Sequence, residues 1–143
     1  MMVEILNCFN TSGEDTHMVN TILVVDDDTA ILNVVSNALD HKYEVYTAES
    51  VQDAEEIIKN TTINLLIADL VMPDKNGIDM IMQFRKAYPD MQIMAISGGG
   101  GISGRFDYLP IAKLIGATIT LKKPFTLTEL RSSADSLLQK AQS

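Results

Sequence analysis

Three carboxylates stand in a row where an apolar segment of the chain ends. Residues 22–25 read ILVV, and Asp26, Asp27 and Asp28 follow them directly. Two like charges about 4 Å apart repel each other by roughly 4 kcal/mol at an effective dielectric constant near 20. A sequence tolerates this repulsion if a cation binds among the acids or if the acids point into water. In the first case their hard oxygen ligands suit Mg²⁺, with Mn²⁺ as a second candidate.

Three more polar residues follow short apolar segments, namely Asp69, Ser97 and Lys123. A carboxylate can act as a nucleophile toward phosphorus and form an acyl phosphate. Such a transfer benefits from a divalent cation, a side-chain cation and a hydrogen-bond donor to the phosphoryl oxygens. Lys123 and Ser97 could supply the last two, although Lys122 leaves the choice of lysine open by one residue. These residue types therefore suit phosphoryl transfer to an aspartate, provided that the fold brings them together.

The apolar pattern predicts strands that alternate with helices from residue 20 onward. Short β-branched segments predict strands, and apolar residues spaced by three and four predict helices. We expect strands at 22–25, 45–48, 65–68, 93–96 and 119–121, and helices at about 31–39, 51–58, 78–84, 108–115 and 127–138. This alternation predicts βαβ crossovers and a parallel sheet covered on both faces. The loops that follow parallel strands share one edge, so the polar residues named above should meet there.

Several residues mark helix ends. Asp28 is expected to cap the first helix rather than bind a metal, because Asp is favoured at the N-cap position. Ser50 and Thr126 each have an acidic residue three positions later, which is the spacing of a capping box. Gly116 is expected to stop the fourth helix.

Composition limits the classes of function. The chain has 143 residues, which predicts one domain, and the strand and helix pattern places it over 21–143. Residues 1–20 are expected to form a flexible extension, because residues 10–20 are mostly polar. Its net charge of −8 argues against non-specific binding to nucleic acid or anionic membranes. No apolar segment is long enough to span a bilayer, and no secretory signal is evident. The single cysteine, Cys8, cannot form an internal disulfide, which fits a reducing, cytoplasmic compartment.

Four segments, taken in order, resemble the receiver domain of bacterial two-component response regulators. They read ILVVDDD, LLIADLVMPDKNGIDMI, MAISG and LKKPF, and the resemblance spans about residues 21–140. It implies a doubly wound α/β fold of the flavodoxin-like (βα)5 type, with strand order 2-1-3-4-5. It also implies that Asp69 is the phosphoacceptor and that Mg²⁺ is the cofactor.

The resemblance assigns roles to other residues as well. Asp26 and Asp27 match the acidic pair that holds the metal, with Asp27 the preferred direct ligand, and the backbone carbonyl of Val71 would be a further ligand. Lys123 matches the family's site lysine. The peptide bond that precedes Pro124 is expected to be cis.

The sequence departs from the family pattern near the expected switch. Ser97 matches the switch hydroxyl, but Thr120 stands where many receivers carry an aromatic residue, so rotation of a Tyr or Phe is not expected. Val71, two residues after Asp69, has no polar side chain to place an attacking water, which predicts a long-lived acyl phosphate. The four glycines at 98–101 lengthen the path to the fourth helix.

The resemblance implies a single-domain response regulator. It would accept a phosphoryl group from a histidine kinase or a histidine phosphotransfer protein and would signal by docking an effector protein. We expect a monomer or weak dimer with no nucleic-acid or membrane partner, and no catalysis beyond its own phosphorylation and dephosphorylation. The alternatives are a receiver-like module that binds without phosphorylation, and a fragment of a larger regulator or hybrid kinase. An aspartate-dependent phosphatase is disfavoured, because such enzymes usually carry a second acid where Val71 stands.

Overall fold

The sheet of the computed structural model is parallel, and its strand order is the one that the resemblance to receiver domains implies. The structure describes residues 19–70, 77–97 and 109–142. Within these ranges the strands are β1 (Thr21–Val25), β2 (Glu44–Ala48), β3 (Leu65–Asp69), β4 (Gln92–Ser97) and β5 (Ile119–Lys122). They pair in the order β2-β1-β3-β4-β5, with every pair parallel. The predicted doubly wound α/β fold is confirmed.

Helices cover both faces of this sheet. They are α1 (Thr29–Leu39), α2 (Val51–Asn60), α3 (Gly77–Ala87), α4 (Leu109–Ile115) and α5 (Leu127–Gln142). Side chains of α1 and α5 share one hydrophobic core with one face of the sheet. Side chains of α2, α3 and α4 share a second core with the other face.

The central strands β1 and β3 consist mostly of apolar residues because both of their faces are buried. In β1, Ile22 and Val24 join the core under α1 and α5, whereas Leu23 and Val25 join the core under α2, α3 and α4. All five residues of β1 are buried, and so are all five residues of β3. Strands buried on both faces have continuous apolar sequences. A polar residue that must reach a site is therefore placed where such a strand ends.

The predicted helix ends are confirmed. Asp28 caps α1 by accepting a hydrogen bond from the Ala30 backbone N–H, and Ser50 caps α2 in the same way. Thr126 and Glu129 form a reciprocal capping box at the start of α5. Gly116 follows α4 with a φ of 122°, a conformation that glycine adopts without strain.

Four large apolar residues within the predicted helices lie on the surface. Val34 is 46% exposed, Met82 51%, Leu114 87% and Leu127 41%. Val34 and Met82 each adjoin a fully buried residue, and one step along an α-helix turns a side chain by about 100°. The sequence pattern therefore locates these helices correctly but makes their buried faces too wide.

Some expectations fall outside the described ranges. They concern the extension at 1–18 with Cys8, the backbone carbonyl of Val71 and the glycines at 98–101. Among the helices of the described ranges, none combines the length and the apolar character that crossing a membrane requires.

Candidate functional site: an acidic cluster at the carboxyl edge of the sheet

The strand register brings polar residues from four strand ends to one edge of the sheet. The pairing of β1 with β3 places Asp26, the residue after β1, beside Asp69, the last residue of β3. β4 ends at Ser97, which pairs with Lys122 of β5, so Lys123 lies just beyond β5 at the same edge. The structure thus brings these residues together as the alternating pattern predicts.

Three carboxylates form a compact group at this edge. Asp26, Asp27 and Asp69 each offer an oxygen, and these oxygens lie within 4.8 Å of one another. Asp26 is 2% exposed and Asp69 is 6% exposed, whereas Asp27 is exposed to solvent. Two acids are therefore fixed inside the protein, and the third faces the side from which a ligand can enter.

Lys123 bridges the two buried acids. Its Nζ lies 3.1 Å from Asp26 Oδ2 and 3.0 Å from Asp69 Oδ2. Lys122 is exposed. The choice left open between the two lysines is thereby resolved in favour of Lys123 as the neighbour of the acids.

Burial and the neighbouring charges shift two pKa values at the site. Burial raises the pKa of Asp26, and the charge of Asp69 adds to this effect. A hydrogen bond from the Asp28 backbone and the charge of Lys123 oppose the rise, but the net pKa is raised. Burial tends to lower the pKa of Lys123, but the hydrogen bond and charge of Asp69, together with Asp26, outweigh it and raise that pKa. Lys123 is therefore held as an ammonium.

The cluster fits a hard divalent cation. Three carboxylates face one ammonium, so two negative charges remain uncompensated when all four groups are ionised. The available ligands are oxygens, which Mg²⁺ and Mn²⁺ prefer. A divalent cation would balance the remaining charge and relieve the repulsion that the three consecutive acids create.

Ser97 contributes a hydroxyl with unused hydrogen-bonding capacity. The residue is 1% exposed, and within the described ranges its Oγ is the one buried side-chain polar atom that lacks a hydrogen-bond partner. Its backbone carbonyl accepts a hydrogen bond of 2.8 Å from the Lys123 N–H. Buried polar groups are rarely left unpaired, and those that are often serve a function. The hydroxyl is therefore suited to meet a ligand oxygen at this edge.

Gly77 allows the start of α3 to approach the backbone of Asp69 closely. A Cβ atom at position 77 would lie 2.1 Å from the Asp69 backbone oxygen and 2.8 Å from that of Leu70. The Gly77 N–H donates to the Leu70 carbonyl at 3.1 Å. The absence of a side chain at this position therefore sets the distance between α3 and the end of β3.

The remaining predicted positions are Thr120, the peptide bond before Pro124, and Val71. Thr120 is partly buried in β5 and pairs with Ala95 of β4. The peptide bond between Lys123 and Pro124 is cis, as expected. Val71 falls outside the described residues.

Two contributions to the site are not identified by the sequence reasoning. The Asp28 backbone N–H donates to Asp26 Oδ1 at 2.9 Å, and Gly77 provides the close approach to Asp69. The sequence identifies Asp28 only as a helix cap, because every residue except proline has a backbone N–H and the residue type therefore does not reveal this donor. For the second contribution, the only signal in the sequence was a glycine eight residues after the end of β3.

The fold and the acidic edge define an α/β signalling domain of the receiver class. The Response regulator receiver domain family matches residues 22–135, and the chain belongs to this family. Receiver domains of response regulators act in two-component signalling and are not classical enzymes. The resemblance stated from four sequence segments is confirmed.

Curated relatives are longer than this chain. The DNA-binding transcriptional regulator NtrC of Azospirillum brasilense is 35% identical over 127 residues, covering 82% of this chain and 24% of the relative. The response regulator MprA of Mycobacterium sp. (strain KMS) is 31% identical over 120 residues, covering 83% of this chain and 50% of the relative. The chain thus spans about a quarter to a half of the length of these relatives.

A solved structure of similar size has the same fold. The CheY-like receiver domain protein of Methanospirillum hungatei JF-1 superimposes with a TM-score of 0.77 at 27% sequence identity. The match covers 87% of this chain and 98% of that structure.

Proposed function

We propose that this domain accepts a phosphoryl group on Asp69 and signals through protein docking. The observation that carries the proposal is the setting of the Asp69 carboxylate. It is buried at the end of β3, lies 3.0 Å from Lys123 Nζ and belongs to a cluster of three carboxylates. Acceptor, cation and metal ligands thus occur at one place.

The donor is a phosphohistidine on a histidine kinase or a histidine phosphotransfer protein. A carboxylate oxygen of Asp69 attacks phosphorus, and a P–O bond forms as the P–N bond breaks. The electron pair of the broken bond leaves with the imidazole nitrogen, which gives an acyl phosphate on Asp69. The Lys123 ammonium and the Ser97 hydroxyl would stabilise charge on the phosphoryl oxygens.

The proposed metal is Mg²⁺, with Mn²⁺ as a second candidate. Asp26, Asp27 and Asp69, together with the backbone carbonyl of Val71, would hold it. When bound, the cation neutralises charge between the acceptor carboxylate and the phosphoryl oxygens. Burial of Asp26 and Asp69 supports this assignment, because two buried acids need a compensating charge.

Phosphorylation would then change the surface that a partner recognises. The Ser97 hydroxyl, which has no hydrogen-bond partner among the described residues, would turn toward a phosphoryl group. Thr120, which pairs with Ala95 in the sheet, stands where many receivers carry an aromatic residue. The apolar Val71 offers no group to position an attacking water, so we propose a long-lived acyl phosphate and no catalysis beyond phosphorylation and dephosphorylation of the domain itself.

We also propose a cytoplasmic protein that docks an effector protein as a monomer or weak dimer. NtrC of Azospirillum brasilense is named as DNA-binding. The net charge of −8 favours a protein over a nucleic acid or a membrane as the direct partner of this domain. The same site would serve whether the domain acts alone or within a larger regulator or hybrid kinase.

Intact-mass spectrometry after incubation with Mg²⁺ and acetyl phosphate tests the proposal. We expect one phosphoryl adduct on the wild type and none in the presence of EDTA. Asp69→Asn should abolish the adduct. Asp90→Asn removes an exposed carboxylate before β4, at the opposite edge of the sheet, and should leave it intact.

The absence of an adduct from a wild-type protein that binds Mg²⁺ would contradict the proposal. It would favour a receiver-like module that binds its partner without phosphorylation. An adduct of equal yield in Asp69→Asn would instead show that another residue is the acceptor.

A further inference from the structure

Two hydrogen-bond systems meet at Asp28. Its side-chain Oδ1 accepts from the Ala30 N–H at 2.9 Å, and its backbone carbonyl accepts from the N–H groups of Ile31 and Leu32. On the other side, its own backbone N–H donates to Asp26 Oδ1 at 2.9 Å. One residue therefore joins the first turn of α1 to a buried carboxylate of the site.

The Asp28 hydrogen bond completes the fixation of Asp26. Asp26 Oδ2 accepts from Lys123 Nζ at 3.1 Å, so each carboxylate oxygen has a donor. A carboxylate held at both oxygens cannot rotate about its last side-chain bond without breaking a hydrogen bond. The Asp26 backbone N–H is also held, by a bond of 3.1 Å to the Ala48 carbonyl.

We propose that Asp28 is a positioning residue for the acidic site. Its side chain caps α1 and thereby fixes the direction of the backbone N–H that orients Asp26. The inference rests on the proposed function, because its consequence is a site prearranged for a divalent cation. It also accounts for the third acid in the sequence, which is needed as a cap.

A direct role of Asp28 in binding the cation does not fit the structure. Within the described ranges, the carboxylate group that could hold a metal consists of Asp26, Asp27 and Asp69. The Asp28 side chain is exposed and is occupied with the Ala30 N–H. Its contribution should therefore depend on the hydrogen-bond acceptor and not on the charge.

Three substitutions separate these roles. Asp28→Ala removes acceptor and charge together, whereas Asp28→Asn and Asp28→Ser keep an N-capping acceptor and remove only the charge. Ile58→Val replaces a buried residue in the last turn of α2 and is the control for a general loss of stability. Mg²⁺ affinity is measured by calorimetry, and exchange of the residue-28 amide is measured by NMR in metal-free protein.

Asp28→Ala should lower Mg²⁺ affinity by about tenfold, because residues that orient metal ligands typically contribute 10–100-fold. It should also speed exchange of the residue-28 amide by about fivefold, as expected for loss of one cap. Asp28→Asn, Asp28→Ser and Ile58→Val should stay within about twofold of the wild type in both measurements.

Equal losses of affinity in Asp28→Ala and Asp28→Asn would overturn the inference, since charge would then be the cause. Unchanged affinity and exchange in Asp28→Ala would overturn it as well. A wild type that binds no Mg²⁺ would count against the proposed function instead. The exchange rates would then decide by themselves whether the cap fixes the Asp28 amide.

Discussion

Replacing Lys123 by methionine should destabilise the protein, because the repulsion between the buried carboxylates of Asp26 and Asp69 would no longer be compensated. Lys123 lies within 3.1 Å of both Asp26 and Asp69, and the acids are 2% and 6% exposed. Removing one partner of a fully buried ion pair costs about 3–5 kcal/mol. The lysine side chain keeps 22% of its surface exposed, so solvent screens part of the effect. We expect a loss of about 2–3 kcal/mol at pH 7.

Urea unfolding followed by circular dichroism measures this loss, because the chain contains no tryptophan for fluorescence. Lys122→Met is the matched control, since its side chain is exposed and should change stability by no more than about 0.5 kcal/mol. Adding Mg²⁺ should narrow the gap between Lys123→Met and the wild type, because a divalent cation restores the missing positive charge.

The double variant Lys123→Met with Asp26→Asn checks the stated cause. If repulsion between buried acids is responsible, removing one acid should recover about 1 kcal/mol or more of the loss. Identical unfolding midpoints for Lys123→Met and Lys122→Met would refute the reasoning. So would a full loss that Asp26→Asn does not reduce.

Three further predictions concern other parts of the structure. Gly77→Ala should lower the free energy of unfolding by about 2–3 kcal/mol, because the new Cβ would lie 2.1 Å from the Asp69 backbone oxygen. Urea unfolding measures this loss, with Asp79→Ala in the same helical turn as the control. Arg85→Ala should lower the free energy of unfolding by about 2 kcal/mol, because the guanidinium donates to the carbonyls of Pro89, Met91 and Gly116. Lys86→Ala is the control in thermal unfolding, and equal melting temperatures for the two variants would contradict this prediction. The pKa of Asp26 is raised in the folded protein, so ionisation of this carboxyl lowers the free energy of unfolding at pH values above that pKa, and the loss disappears as the pH falls toward 3.8. The wild type should therefore gain stability relative to Asp26→Asn as the pH is lowered from 7 to 4. A stability difference that stays constant over this range would contradict the raised pKa.

Much of the fold follows from the sequence because its signals are local. Strands buried on both faces must be apolar throughout, so ILVV and LLIA identify β1 and β3 directly. Parallel strands share one edge at their carboxyl ends, which is why residues as distant as Asp26 and Lys123 could be placed together. The caps at Asp28, Ser50 and Thr126 were readable for the same reason, since each satisfies neighbours within three residues.

The parts that were not predictable depend on contacts between distant segments or on backbone groups. The three carbonyls that meet Arg85 come from positions 89, 91 and 116, and no residue type announces a carbonyl acceptor. The donor from Asp28 to Asp26 is likewise a backbone group. Val34, Met82 and Leu127 are apolar, as core residues are, but they lie on the surface. The spacing of apolar residues predicts where a helix is, whereas packing against the rest of the protein decides how much of its surface is buried.

Locating the phosphoryl group along the chain tests the central claim most directly. Borohydride reduces an acyl phosphate of aspartate to homoserine, and peptide mass spectrometry then identifies the modified position. After treatment with Mg²⁺ and acetyl phosphate, the account predicts homoserine at position 69 and at no other aspartate. Homoserine at position 26 or 27, or none in a protein that carries the phosphoryl adduct, would contradict the assignment of Asp69 as the acceptor.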